Sequence, residues 1–240
     1  MWTSTELASE HIAYSGRVWR VVEAQHRIST NRLATNLDDQ LVLEELAEEV
    51  KPQVPESARH LDFLLASPFR YGHRQASRFR RANERPGIFY ASEQESTAIA
   101  ETAYWRLRFF SRSPGFPPPT TTSEHTSFSV ELRTEKAIDL TRPPFVASAD
   151  LWNNLEDYTA CQKLAGIARE AGTDAIRTTS VRDPGNGCNV VLLDPTAIAE
   201  NKPRSGQTWH LRFEAGQLVA LAAFPSTERF VFSASAFRIG

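Results

Sequence analysis

The sequence is poor in the residues that most often declare a chemistry. It has two cysteines, Cys161 and Cys188, too few for a disulfide framework and not spaced as the CxxC pairs that hold zinc. Its histidines are scattered, and His26, His60, His73, His125 and His210 form no nucleophile or metal-ligand pattern. Ser-His-Asp catalysis and a metal site are therefore poorly supported. Neither GxGxxG nor GxxxxGKS/T occurs, which sets aside Rossmann and P-loop phosphate sites. No apolar run approaches the roughly 20 residues of a membrane span. The opening MWTSTELASEH lacks the basic and apolar regions of a secretory signal. A soluble, cytoplasmic protein without a membrane partner is expected. The formal net charge of −2 gives no global attraction to nucleic acid.

What is present is enough for a core. Hydrophobic residues make up 41% of the 240, which predicts one large domain over 1–240 with an N-terminal elaboration. Residues 18–24 (VWRVVEA) read as a short strand. Leu37, Leu41, Val42, Leu46 and Val50 fall near helical spacing over 37–50, with an acidic outer face, and Lys51-Pro52 stops that helix. A second, shorter helix over 56–65 ends before Pro68, so that 37–66 reads as a helical hairpin ahead of the main sheet, either scaffold or partner surface. Residues 87–91 (GIFYA) form a strand, and Ser92 with Glu95 fits a capping box opening a helix that runs to Phe110. Strict alternation predicts a strand over 127–132, with another over 137–140. A helix follows over 150–171, closed by Gly172. Strands are expected at 174–178, at 189–193 and, in the tail, within TWHLRFE, QLVALAAF and RFVFSA. Strands outnumber helices in the second half, so the fold class is α+β.

Without a glycine-rich loop, a dinucleotide or other phosphate ligand has to be gripped by fixed cations. The aperiodic segment 69–85 holds Arg70, Arg74, Arg78, Arg80, Arg81 and Arg85. Arg20, Arg70 and Arg78 are the candidates, because a planar guanidinium meets two phosphate oxygens at once; the alternative is a solvated loop or pairing with the acidic helices. Glu101 lies in the apolar stretch TAIAETAYW, at helical spacing with Ala98 and Trp105. A carboxylate on an inward face needs a partner or a function. Tyr90, ending its strand, is placed either to stack on a ligand or to pack. Ser180, directly after DAIRTT, is placed either to touch a ligand or to form a turn.

Three stretches together resemble the RES domain: GRVWRVVEAQHR, LLASPFRYGHRQASRFRRANERPGIFYASEQESTAIAETAYWRL and AGTDAIRTTSVRDPGNGCNVVLL. The resemblance runs from about residue 17 to 195, with core motifs at 17–36 and 67–195. It is close to longer members that carry a helical insertion before PFRY. It implies an ADP-ribosyltransferase-like fold of mixed and antiparallel sheets with flanking helices. It also implies a toxin that breaks the nicotinamide–ribose bond of NAD⁺ as its substrate, passing ADP-ribose to phosphate, water or a protein. A further implication is an Xre-type antitoxin partner, with neither a metal nor direct nucleic-acid binding. By motif, the family arginine corresponds to Arg78 in SRFR, the glutamate to Glu101 in AIAET, the serine to Ser180 in TTSVR and the tyrosine to Tyr90 in IFYAS. Arg20 corresponds to an upstream arginine. QASRF departs from the glycine-containing version of the motif, which leaves Arg80 as the alternative to Arg78. In this reading Glu101 stabilises charge on the ribose, Arg78 and Arg20 hold the diphosphate, Tyr90 stacks on nicotinamide and Ser180 fixes the ribose end. A ribonuclease-type toxin and a non-catalytic binding module, with Arg78 and Glu101 as a structural ion pair, are the competing classes.

Overall fold

The computed structural model describes residues 2–23, 36–113, 115–237 and 239. Of the core motif expected at 17–36, residues 24–35 lie outside them. Eight strands form one sheet: β1 (Ile12–Glu23), β2 (Phe89–Ser92), β3 (Ser123–Asp139), β4 (Ala175–Thr179), β5 (Cys188–Leu192), β6 (Arg204–Glu214), β7 (Gln217–Ala222) and β8 (Arg229–Ser233). Their order is β1-β2-β5-β4-β3-β6-β7-β8. Only β3 and β4 run parallel. Because β1 also pairs with β3 from Ile12↔Ala137 to Glu23↔His125, the first five strands of that order close on themselves. The class is α+β, as the strand-rich second half implies.

Among the described residues six α-helices flank the sheet: α1 (Ser4–Ser9), α2 (Leu37–Glu49), α3 (Phe63–Arg70), α4 (Glu95–Ser111), α5 (Ala149–Trp152) and α6 (Thr159–Glu170). The pleat divides the strand residues between separate cores. Phe89, Ala91, Val190 and Leu192 face the closed side with Val18, Phe128 and the α3 residues Leu65 and Phe69. Ile176 and Val191 face the other way, against Cys161, Leu164 and Ala168 of α6. The third core lies between α4 (Ile99, Ala103, Leu107) and Trp209, Leu211, Leu218 and Phe232 of the last three strands.

Several local expectations are corrected. Ser92 does not cap a helix. It ends β2, its hydroxyl donates to Asn189 Oδ1 at 2.7 Å, and α4 opens after Gln94 without a side-chain cap. The helix expected over 150–171 is two helices, because Asn154 Oδ1 accepts the amides of Glu156 and Asp157 and turns the chain. The strands expected at 127–132 and 137–140 are one, β3, with Glu135 and Lys136 facing outward where their charge is solvated. The second helix of the expected hairpin begins later, at Phe63, where the Asp62 carboxylate accepts the Leu64 amide, and it carries Pro68 inside its last turn. α2 forms, but its apolar stripe is not buried: Leu37, Leu41, Val42, Leu46 and Val50 are all exposed. The three strands expected in the tail are present as β6, β7 and β8.

Candidate functional site

A cavity of about 610 Å³ opens beside the outward faces of β2, β5 and β4, walled by α4, the end of β1 and residues 73–80. Its lining is strongly cationic. Arg20, Arg74, Arg78, Arg80 and Arg182 reach it against one carboxylate, Glu101. Strand alternation explains the selection: Tyr90, Ser92, Thr178, Asn189 and Val191 all lie on the face opposite the closed core.

Glu101 is held from three directions. Its Oε1 accepts from Ser180 Oγ at 2.7 Å and from Asn189 Nδ2 at 2.6 Å. Its Oε2 accepts from Arg182 Nη1 at 3.0 Å. Helical periodicity fixes its direction, since Ala100, Ala103 and Leu107 of α4 are buried against the last three strands and turn Glu101 and Trp105 to the cavity. Ser180 is 2% exposed and does not line the cavity. Its hydroxyl donates to Glu101 and accepts the amides of Arg182 and Asp183, so it both closes a turn and fixes the carboxylate.

The arginines divide into committed and uncommitted groups. Arg78 Nε and Nη2 donate to the Trp152 carbonyl (2.9 and 2.6 Å), Nη1 to the Thr179 carbonyl, and Nη2 also reaches Asn153 and Thr178. That guanidinium ties residues 77–80 to α5 and β4. Arg80 donates to the carbonyls of His73 and Gln75 and shapes its own loop. Arg70, also weighed as a phosphate candidate, does not line the cavity; it pairs with Glu48 and the Pro52 carbonyl. Arg20 differs from all of these. Its Nη1 is buried with no hydrogen-bond partner, its guanidinium lies over the Phe89 ring at 5.1 Å, and burial pushes its pKa down to about 10. Arg74 is exposed and has no ion-pair partner among the described residues. Burial, with Arg80 and Arg20 nearby, lowers the pKa of His73, so this imidazole stays neutral further into the acidic range.

Tyr90 lines the cavity with its ring, while its hydroxyl lies 2.9 Å from Ser77 Oγ and accepts the Phe79 amide at 3.0 Å. Burial raises its pKa, leaving a neutral phenol. Arg182, Asn189 and Thr178 lie in the stretch 171–193 quoted for the resemblance, but the sequence assigned none of them a role. The only signal for Arg182 is an opposite charge two residues beyond Ser180. Asn189 needs the register Ser92↔Asn189 to be noticed.

The RES domain family model matches residues 54–214, about two thirds of the chain. The protein belongs to the RES domain family. All of the cavity residues named above except Arg20 fall inside the matched span. A comparison with curated proteins finds no match. Among solved structures, the crystal structure of the M. tuberculosis MbcT–MbcA toxin–antitoxin complex is similar at 13% identity, with a TM-score of 0.49, covering 87% of this chain and 91% of that one.

Proposed function

We infer that the protein is a toxin that cleaves the nicotinamide–ribose bond of NAD⁺. The observation that carries this reading is a single carboxylate, Glu101, held at three points in a cavity that five arginines also line. A volume of about 610 Å³ suits a ligand of dinucleotide size. The unpartnered Nη1 of Arg20 is a buried donor in want of an anion, which a diphosphate supplies. In the reaction the C–N bond to nicotinamide breaks and its electron pair leaves with the neutral pyridine, so no general acid is required. Positive charge develops on the ribose, as in glycoside cleavage. Glu101 stabilises that charge, and more strongly away from water. An acceptor oxygen from phosphate, water or a protein then bonds to the same carbon and gives up its proton.

Other roles follow from where the side chains lie. Arg20 and Arg74 take the diphosphate, and Arg78 orders the wall from which Tyr90 presents its ring. Ser180 acts on Glu101 itself. The family and the cationic cleft support an Xre-type antitoxin as the protein that silences this activity. A ribonuclease reading lacks a histidine pair: among the described residues, His73 is the one histidine lining the cavity.

Purified protein incubated with NAD⁺ should release free nicotinamide. Glu101→Gln should fold normally and lose about 10²–10³ in rate. A folded Glu101→Gln with full activity removes Glu101 from the mechanism, and a wild-type protein that releases no nicotinamide overturns the reading. Added phosphate should accelerate release only if phosphate is the acceptor.

A further inference from the structure

Arg182 lines the same cavity, yet almost none of its bonding capacity faces it. Its side chain is 7% exposed. One terminal nitrogen donates to Glu101 Oε2 at 3.0 Å and the other to the Tyr158 hydroxyl at 2.7 Å. The guanidinium carbon lies 4.2 Å from the Tyr104 ring centroid and 4.8 Å from that of Trp105, two rings set edge to face at 79°. Nε is buried without a hydrogen-bond partner. The backbone amide of Arg182 donates to Ser180 Oγ, the hydroxyl that also holds Glu101. Tyr104 and Trp105 belong to the same helix as Glu101, so the cation is fixed to the element that carries the carboxylate and, through Tyr158, to the edge of α6.

We propose that Arg182 is a positioning residue for Glu101, a cation caged by two aromatic rings and anchored on Tyr158 that sets the direction of the carboxylate toward the cavity. This rests on the reading of Glu101 as the group that stabilises charge on the ribose. Glu101 sits on a helix with its carboxyl at the end of two rotatable methylenes. Ser180 and Asn189 both bind Oε1, and Arg182 alone fixes Oε2. Without it the carboxyl plane turns about the Oε1 contacts and the second oxygen drifts. Misplacement of a reacting group by about 1 Å costs about 10²-fold in rate. A guanidinium suits this work better than an ammonium because its planar fork reaches Glu101 and Tyr158 at once while its central carbon stays close to both rings.

The test compares Arg182→Met and Arg182→Lys by nicotinamide release from NAD⁺, reading kcat and KM separately. Methionine keeps the length and the aromatic packing but neither the charge nor the donors. Arg182→Met should lower kcat about 10²-fold with KM nearly unchanged, and Arg182→Lys should recover a large part of that loss. Wild-type kcat in the methionine variant, a change confined to KM, or equal losses in the two variants each overturn the proposal. If the wild-type protein releases no nicotinamide, the reading of the function falls first. The crystal structure of Arg182→Met then decides the positioning role: a Glu101 carboxylate turned from its wild-type direction sustains it, and an unmoved one overturns it.

Discussion

At the residue scale, the distinction that matters is between Arg78 and Arg80, whose terminal nitrogens are taken up by the protein, and Arg20, whose terminal Nη1 at the cavity is not. Arg78 and Arg80 bond protein carbonyls, so removing either leaves acceptors unpaired and loosens residues 73–80. Arg20 holds a buried Nη1 without a partner. Its guanidinium is driven down to about 10 by burial, which means the fold opposes the charged form; that cost is present at every pH below this value and lifts only as pH rises through it. Arg20→Met should therefore keep or raise stability, by up to about 1 kcal/mol, or about 2–4 °C in a chain of this size. The same variant should weaken NAD⁺ binding about ten- to a hundredfold, the equivalent of one hydrogen bond to a charged group. Thermal unfolding and calorimetric titration check the two halves. A variant that loses stability and keeps affinity would assign Arg20 to the scaffold.

Elements decide how that residue chemistry is aimed. The turn between β4 and β5 is tight at Gly187. A Cβ there would overlap Thr97 Oγ1 and approach Asp183 Oδ2 at 2.7 Å. Thr97 donates to that same carboxylate oxygen, and the Gly187 carbonyl accepts the Ser180 amide. Gly187→Ala should cost about 1–3 kcal/mol through crowding. It should also lower kcat, since the displaced turn carries Ser180 and Arg182 away from Glu101. Denaturant unfolding with steady-state kinetics measures both, and an alanine variant with normal kcat would show the turn to be independent of the site. Much at this scale was legible in advance. The alternation in SFSVEL and the apolar runs of the tail give strands because period-2 burial is written directly in sequence. Glu101 stood out because one carboxylate interrupts an apolar helix. The capping box misled because Ser92 has a partner 97 positions away, Asn189, and long-range pairing overrides a local pattern. The stripe of α2 has helical spacing but no buried residue, because periodicity predicts a helix and not what covers it. Arg78 was legible as a motif, but its five hydrogen bonds go to two separate segments, 152–153 and 178–179, that only the fold assembles.

At the scale of the whole molecule, the family match stops at residue 214, while β7 and β8 lie beyond it. Those strands supply Leu218, Ala220 and Phe232 to the core under α4, the helix that bears Glu101. Full burial of each large apolar side chain contributes roughly 1.5–3 kcal/mol, and total stabilities run to about 5–15 kcal/mol. A chain ending at residue 214 should lose cooperative unfolding and all nicotinamide release, as read by circular dichroism and the same assay. Full activity in the shortened chain would show the last strands to be an appendage.

The wall formed by residues 73–80 is fastened from three sides, by the Tyr90 hydroxyl, by Arg78 and by the carbonyls that Arg80 gathers. Its conformational entropy is surrendered when the chain folds, before any ligand arrives. Association then asks for no loop closure, and affinity is not diminished by an ordering step at the moment of encounter.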